Sequence, residues 1–205
     1  MKAIGIMSGT SLDGIDVAII DILDNGYSLI GFITVPYQNE TKEKVMECSL
    51  LDKSNVQKIC SLNVELSYLY VDAIKKGLDQ YNVSIDEIDF IAMHGQTIWH
   101  NPNNMDGYFS STLQIGDPSV VAYELNKTVI SNFRTMDMAA GGSGAPLMPY
   151  AHYLMFKNEN KNIAVQNIGG IGNVTYIKDS DIIAFDTGPG NMLIDGAMQK
   201  LYNLA

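Results

Sequence analysis

The chain has 205 residues, of which 46% are hydrophobic and 18% charged, a composition typical of a globular protein with a sizeable core. Its formal net charge of −10 argues against nucleic acid and anionic membrane surfaces as partners, because both carry charge of the same sign. We expect no membrane-spanning helix and no signal peptide, since the apolar runs are too short. Cys48 and Cys60 lack zinc-site spacing, and we expect reduced thiols in a cytoplasmic protein.

The chain opens with a predicted antiparallel meander of three strands. Residues 2–7, 14–23 and 26–36 are rich in Ile and Val, and Asn25-Gly26 is a strong hairpin signal. The segment GTSLDG at residues 9–14 is then the first turn of the meander.

Helices alternate with shorter strands in the next part of the chain. Apolar residues recur at intervals of three and four between residues 55 and 81, which predicts an amphipathic helix. Asp117 and Pro118 are a typical N-cap and first residue of a helix that reaches about residue 126. The other predicted elements are helices at 40–51 and 147–157, strands at 90–95, 112–116 and 128–133, and a loop at 134–146.

The polar run at 157–162 predicts a domain boundary, with a first domain at 1–158 and an incomplete second one at 159–205. After it, the order of strand, Gly-rich turn and strand begins again, as in a degenerate repeat. A final helix from about residue 190 to the end has an apolar face with no partner in the sequence. Either the chain is part of a longer protein, or a second copy or another chain covers that face. The apolar face comprises Met192, Leu193, Ala197, Leu201 and Leu204.

The first turn has more polar groups than a hairpin needs. Glycines allow close approach to a ligand, and consecutive N–H groups can bind an anion. Asp13 and Asp16 repel phosphate, but they would suit Mg²⁺, held directly or through water. The plainer interpretation is a polar hairpin in which Asp favours the turn.

Two further segments follow predicted strands. In HGQTIWH, His94, Gln96 and Thr97 could line a polar pocket at the end of a strand, or His94 could be structural. Arg134 is the only Arg of the chain, and its planar fork suits a carboxylate or a phosphate, although an internal salt bridge would also explain it.

The second half has two more candidate sites. NIGGIGNV at 167–174 does not fit the dinucleotide fingerprint G-x-G-x-x-G, but its glycines could form a second phosphate-binding turn or a plain hairpin. In FDTGPGN at 185–191, Asp186 ends an apolar strand and is placed to accept a proton or to cap the following helix.

Taken together, these segments resemble the anhydro-N-acetylmuramic acid kinase family of the acetate and sugar kinase, Hsp70 and actin superfamily. The matching segments occur in order along nearly the whole chain: GIMSGTSLDGID, HGQTIWH, IGDPSVVAYE, NFRTMDMAAGGSGAPL, QNIGGIGNVT and FDTGPGN. The resemblance implies an α/β fold with ribonuclease-H-like domains of the actin-like ATPase type, each with a mixed sheet. It also implies that family members continue well beyond residue 205.

The resemblance implies roles for particular residues. Asp186 matches the catalytic carboxylate, and Asp13 and Asp16 are tentative ligands of Mg²⁺. Thr97 and Arg134, with His94 and Gln96, match the sugar pocket, with Arg134 near the lactyl carboxylate. ATP phosphates would bind at two turns, comprising Gly9, Thr10, Ser11, Leu12, Asp13, Gly14, Ile15 and Asp16 in the first and Gly169, Gly170 and Asn173 in the second.

The family reaction implied by this resemblance consumes ATP, water and 1,6-anhydro-N-acetylmuramic acid and yields N-acetylmuramic acid 6-phosphate and ADP during cell-wall recycling. We expect this chain alone to have weak activity or none. Two alternatives share the phosphate-binding turns: a nucleotide switch of the actin or Hsp70 type, and a non-catalytic partner subunit.

Overall fold

A computed structural model describes residues 1–105, 107–158 and 160–202. The chain divides into two compact units, Met1–Gly144 and Ala145–Ala205, and each is considered by itself. This division lies after Gly144, whereas the sequence predicts a domain boundary at residue 158. The domain limits 1–158 and 159–205 stay a prediction. Among the described residues, no helix combines the length and the apolar character needed to cross a lipid bilayer.

The first unit is a mixed sheet with helices packed against it. Its strands are β1 (Lys2–Ser8), β2 (Gly14–Leu23), β3 (Gly26–Pro36), β4 (Phe90–Asn101), β5 (Ser111–Ile115) and β6 (Thr128–Ile130). Its helices are α1 (Asn39–Ser49), α2 (Val56–Tyr81), α3 (Pro118–Leu125) and α4 (Phe133–Ala139), with a short 3₁₀ helix at Ile85–Glu87.

The strand order of this sheet is β3-β2-β1-β4, and both β5 and β6 pair with β4. The meander β1-β2-β3 is antiparallel, as predicted, whereas β1 pairs in parallel with β4 and β4 in parallel with β6. An antiparallel meander continued by parallel strands is the order of a ribonuclease-H-like sheet, so the predicted fold class is confirmed.

The core lies between this sheet and α2. Ile15, Val17 and Ile19 alternate on one face of β2, and they pack with Leu66 and Ile74 of the helix. Each such fully buried side chain contributes about 1.5–3 kcal/mol relative to an exposed one. The helix begins where the Asn55 side chain accepts a hydrogen bond from the Lys58 backbone N–H at 2.9 Å.

Two elements differ from the predictions. The strand predicted at 90–95 continues to Asn101, because residues 96–101 pair with the antiparallel strand β5. The segment HGQTIWH therefore lies within a strand and not in a loop after one. The strand predicted at 128–133 ends at Ile130. A helix, Phe133–Ala139, takes up the last residue of that predicted strand and the first part of the loop predicted at 134–146.

The second unit repeats the opening order of the first. It has α5 (Met148–Phe156), β7 (Ile163–Ile168), β8 (Ile171–Lys178), β9 (Asp181–Pro189) and α6 (Asn191–Tyr202). The three strands form an antiparallel sheet in chain order. The predicted apolar face of α6 is exposed among the described residues, with Met192 at 50% and Leu193 at 65%. Leu204, also predicted on that face, lies outside the described residues.

Candidate functional site: two glycine turns and an arginine pocket

The first turn connects β1 to β2 and is held from two sides. The Gly9 carbonyl accepts hydrogen bonds from the Leu12 N–H at 3.3 Å and from Gln96 Nε2 at 3.1 Å. At the other end of the turn, the Asp13 carbonyl accepts from the Tyr37 N–H at 3.3 Å. Leu12 has a φ of 57°, a left-handed conformation that a non-glycine residue adopts only where its surroundings impose it.

Gly14 closes the turn at a point where no side chain fits. A Cβ atom there would lie 2.3 Å from the Val35 carbonyl oxygen of the adjacent strand. Glycine is required at this position because the two backbones lie so close together. It fixes where the turn ends and β2 begins.

The predicted metal ligands lie at the end of this turn. Asp16 is in β2, and its Oδ1 accepts a 2.6 Å hydrogen bond from Thr34 Oγ1. Asp13 is exposed in the turn. Among the described residues, no group of three or more His, Cys, Asp or Glu side chains could hold a metal ion. One or two carboxylates, completed by water and phosphate oxygens, still match the way proteins hold Mg²⁺.

Gln96 is fully buried and anchors the first turn. Its Nε2 donates to the Gly9 carbonyl, and its Oε1 has no hydrogen-bond partner among the described residues. Gln96 is also among the residues that line the same cleft as Thr97. Its contact with a sugar stays a prediction.

Thr97 lies beside the first turn in an open cleft of about 430 Å³. Thr10 and Leu12 of the turn line this cleft, together with Trp99 and residues of α1. Thr97 Oγ1 accepts a hydrogen bond from Gln114 Nε2 at 3.3 Å. The structure therefore brings Thr97 and the first turn together at one cleft within the first unit.

Arg134 is held against His94 and the glycine loop that follows α4. Its Nε donates to His94 Nε2 at 2.8 Å, and its Nη1 donates to the Gly144 carbonyl at 2.7 Å. Burial lowers the pKa of Arg134, and none of the ion pairs among the described residues includes it. A half-buried guanidinium without a carboxylate partner is suited to an anionic ligand.

Asp137 is a positioning residue that the sequence analysis missed. Its Oδ2 accepts a hydrogen bond from the Gly144 N–H at 2.8 Å, and Gly142 lies directly against the carboxylate. Asp137 thereby fixes the loop whose carbonyl orients Arg134. Recognising it from the sequence would have required knowing that residues 133–139 are helical, which places Asp137 one turn after Arg134.

The second unit holds the second turn and Asp186. Asp186 is exposed on β9 and lies opposite Asn173 of β8. Gly169 and Gly170 form the turn between β7 and β8, and their carbonyls accept from the N–H groups of Asn191 at 2.8 Å and Gly190 at 2.9 Å. The strand β9 runs on to Pro189, so Asp186 lies within it and not at its end as predicted.

Each unit thus brings part of the predicted site together. In both units, the candidate phosphate-binding glycines lie in turns between antiparallel strands. The sheet of the first unit has the strand order of a ribonuclease-H-like fold. The class defined by this fold is the α/β protein with a ribonuclease-H-like mixed sheet.

The chain belongs to the anhydro-N-acetylmuramic acid kinase family. A sequence model of that family matches residues 1–205. An anhydro-N-acetylmuramic acid kinase of Clostridioides difficile (strain 630) is 52% identical over 99% of this chain and 55% of its own length. A Bacillus cereus (strain Q1) protein of the same name is 51% identical over 100% of this chain and 56% of its own length. The chain therefore spans about half the length of these curated relatives.

Solved structures with a similar backbone are more distant. A Ppx/GppA family protein of Aquifex aeolicus is 13% identical, with a TM-score of 0.44 over 97% of this chain and 54% of that chain. Component A of the (R)-2-hydroxyglutaryl-CoA dehydratase of Acidaminococcus fermentans is 10% identical, with a TM-score of 0.43 over 100% of this chain and 55% of that chain.

Proposed function

We propose that the chain carries the N-terminal part of an ATP-dependent kinase that converts 1,6-anhydro-N-acetylmuramic acid and water to N-acetylmuramic acid 6-phosphate. The observation that carries the proposal is the family match over all 205 residues, at 52% identity to a curated relative. The contacts of Arg134 are compatible with it, because a guanidinium that forms no ion pair with the described residues suits the carboxylate of the substrate's lactyl group.

The proposed reaction joins two bond exchanges. Asp186 takes a proton from water as the water oxygen attacks the anomeric carbon of the sugar. The bond from that carbon to O6 breaks, and O6 forms a bond to the γ-phosphorus of ATP while the bond from that phosphorus to ADP breaks. Asp186 is exposed, so it is accessible to water and substrate in the second unit.

The two turns have separate proposed roles in this reaction. The first turn, with Gly9 to Asp16, binds phosphate through backbone N–H groups, and Asp13 and Asp16 are the residues that would hold Mg²⁺. When bound, Mg²⁺ neutralises charge on the phosphates. The second turn, with Gly169, Gly170 and Asn173, is proposed to contact phosphate as well. Carbonyl oxygens cannot donate to phosphate, so the Asn173 side-chain amide and the N–H groups of the turn would supply the donors.

Thr97, together with Arg134, His94 and Gln96, forms the proposed sugar pocket, in which the buried Gln96 also anchors the first turn. We place the protein in the cytoplasm, where the exposed thiol of Cys60 stays reduced. We also propose that the exposed face of α6 packs against further polypeptide, either the rest of a family-length protein or a second copy.

The experiment compares the 205-residue chain with a chimera in which the C-terminal part of the Clostridioides difficile relative follows it. Both are incubated with ATP, Mg²⁺ and the anhydro sugar, and the products are followed by ADP release and ³¹P NMR. We expect sugar phosphate from the folded chimera and little or none from the chain alone. A folded chimera that forms no sugar phosphate would contradict the kinase proposal, and robust turnover by the chain alone would contradict the need for a second part.

A thermal-shift measurement separates the kinase from a nucleotide switch or a non-catalytic subunit. Stabilisation by the anhydro sugar favours the kinase, because a switch protein needs no sugar pocket. Stabilisation by ATP alone, with none by the sugar, would favour the alternatives.

A further inference from the structure

A hydrogen bond between the side chains of His94 in β4 and Arg134 in α4 connects a strand and a helix of the first unit. Both ring nitrogens of His94 are engaged: Nε2 accepts from Arg134 Nε at 2.8 Å, and Nδ1 lies 2.7 Å from the Gly95 carbonyl oxygen. A guanidinium cannot accept a hydrogen bond, so Nε2 must carry the lone pair. A carbonyl cannot donate, so Nδ1 must carry the proton. The contacts therefore define one neutral tautomer of His94.

We propose that His94, as the neutral Nδ1–H tautomer, is a positioning residue that holds Arg134 in the orientation required to bind a ligand carboxylate. The identity of that ligand as the lactyl group of the sugar rests on the proposed function. The positioning itself does not, because it follows from contacts within the first unit.

The contacts of Arg134 explain why such a residue is needed. A free arginine side chain loses rotamer entropy when it is fixed in one conformation. Two acceptors, His94 Nε2 and the Gly144 carbonyl, hold Nε and Nη1 before any ligand arrives. The plane of the guanidinium is thereby fixed, and a carboxylate can dock on its remaining N–H groups with less ordering.

The same arrangement makes the arginine sensitive to pH. Protonation turns His94 Nε2 into a donor facing another donor, so the hydrogen bond is lost and two cations are brought together. Burial lowers the pKa of His94, the contact with the Gly95 carbonyl raises it and the charge of Arg134 lowers it. Of the charged groups in the described residues, Arg134 of α4 is the one whose charge acts on His94.

The direct test is ¹⁵N NMR of the histidine rings in the 205-residue chain. We expect His94 as the neutral Nδ1–H tautomer with an apparent pKa below 6.5, and we expect Arg134→Gln to raise that pKa. The Nε2–H tautomer, or a His94 pKa indifferent to Arg134→Gln, would overturn the proposal.

Binding of the anhydro sugar provides the second readout, in the complete chimera. We expect wild-type affinity to fall as the pH drops from 7.5 to 5.5. In His94→Gln an amide oxygen can accept from Arg134 without titrating, so we expect the pH dependence of the affinity to be flattened. In His94→Phe, which has no acceptor, affinity falls about tenfold at every pH. Equal affinity and pH dependence in His94→Phe and the wild type would refute a positioning role.

The two readouts distinguish failure of this inference from failure of the proposed function. If the sugar does not bind to the wild type but the NMR result holds, the kinase assignment fails and the His94–Arg134 pairing stands. If the sugar binds but the NMR result fails, the kinase assignment stands and the His94–Arg134 pairing fails.

Discussion

Gly14→Ala is predicted to displace the first turn, because the new methyl group has no room. Its carbon would lie 2.3 Å from the Val35 carbonyl oxygen, about 1.1 Å short of the 3.4 Å at which ordinary contact begins. Its other near neighbours, including the Pro36 Cα at 2.9 Å, are also backbone atoms, so no side chain can rotate away. We expect overpacking to cost about 1–3 kcal/mol. For a chain of this size, that lowers the melting temperature by about 2–12 °C.

Gly5→Ala is the matched control in the adjacent strand. A Cβ atom at Gly5 would meet nothing within 4 Å, so the same chemical change carries no steric penalty. We expect Gly5→Ala to leave stability unchanged or to raise it by up to about 1 kcal/mol. Urea denaturation of both variants, followed by circular dichroism, makes the comparison. Equal stability of the two variants would refute the argument that Gly14 is required by the approach of β3 to the turn.

Three further predictions concern the first unit. Leu66→Ala should cost about 2–5 kcal/mol in urea denaturation, because Leu66 is fully buried against the sheet; a cost below 1 kcal/mol would contradict the described core. Asn55→Ala should cost about 0.5–2 kcal/mol by loss of the N-cap of α2, whereas Asn55→Asp should retain it, and equal losses would exclude capping. Because the folded pKa of His94 is lowered, the unfolded chain binds its proton first, so the free energy of unfolding should fall as the pH drops below about 6.5. His94→Gln should remove that part of the slope between pH 7.5 and 5.5, and an unchanged slope would contradict it.

The parts predicted best from the sequence are those with a strong local signal. The meander β1-β2-β3 has alternating Ile and Val and a clear Asn-Gly turn, and α2 has a long apolar stripe with Asn55 at its N-cap. In these segments, local conformational preference and burial favour the same structure.

The structure differs from the predictions, or adds to them, where partners distant in the sequence decide the outcome. The continuation of β4 to Asn101 depends on pairing with β5, which begins ten residues further along the chain. Gln96 is buried where its side chain donates a hydrogen bond to the Gly9 carbonyl, and Gly9 is 87 residues away in sequence. The roles of His94 and Asp137 depend on how α4 and its glycine loop fold back on β4. None of these contacts leaves a periodic pattern in the sequence.

The proposal that Asp186 is the catalytic base can be tested most directly in the chimera, by the rate of sugar phosphorylation in Asp186→Asn. Asp181→Asn is the matched control, since Asp181 is another exposed carboxylate at the far end of the same strand. We expect Asp186→Asn to lower kcat by about 10²- to 10⁴-fold while the protein stays folded and still binds ATP, and Asp181→Asn to match the wild type. Wild-type turnover in Asp186→Asn would contradict the account.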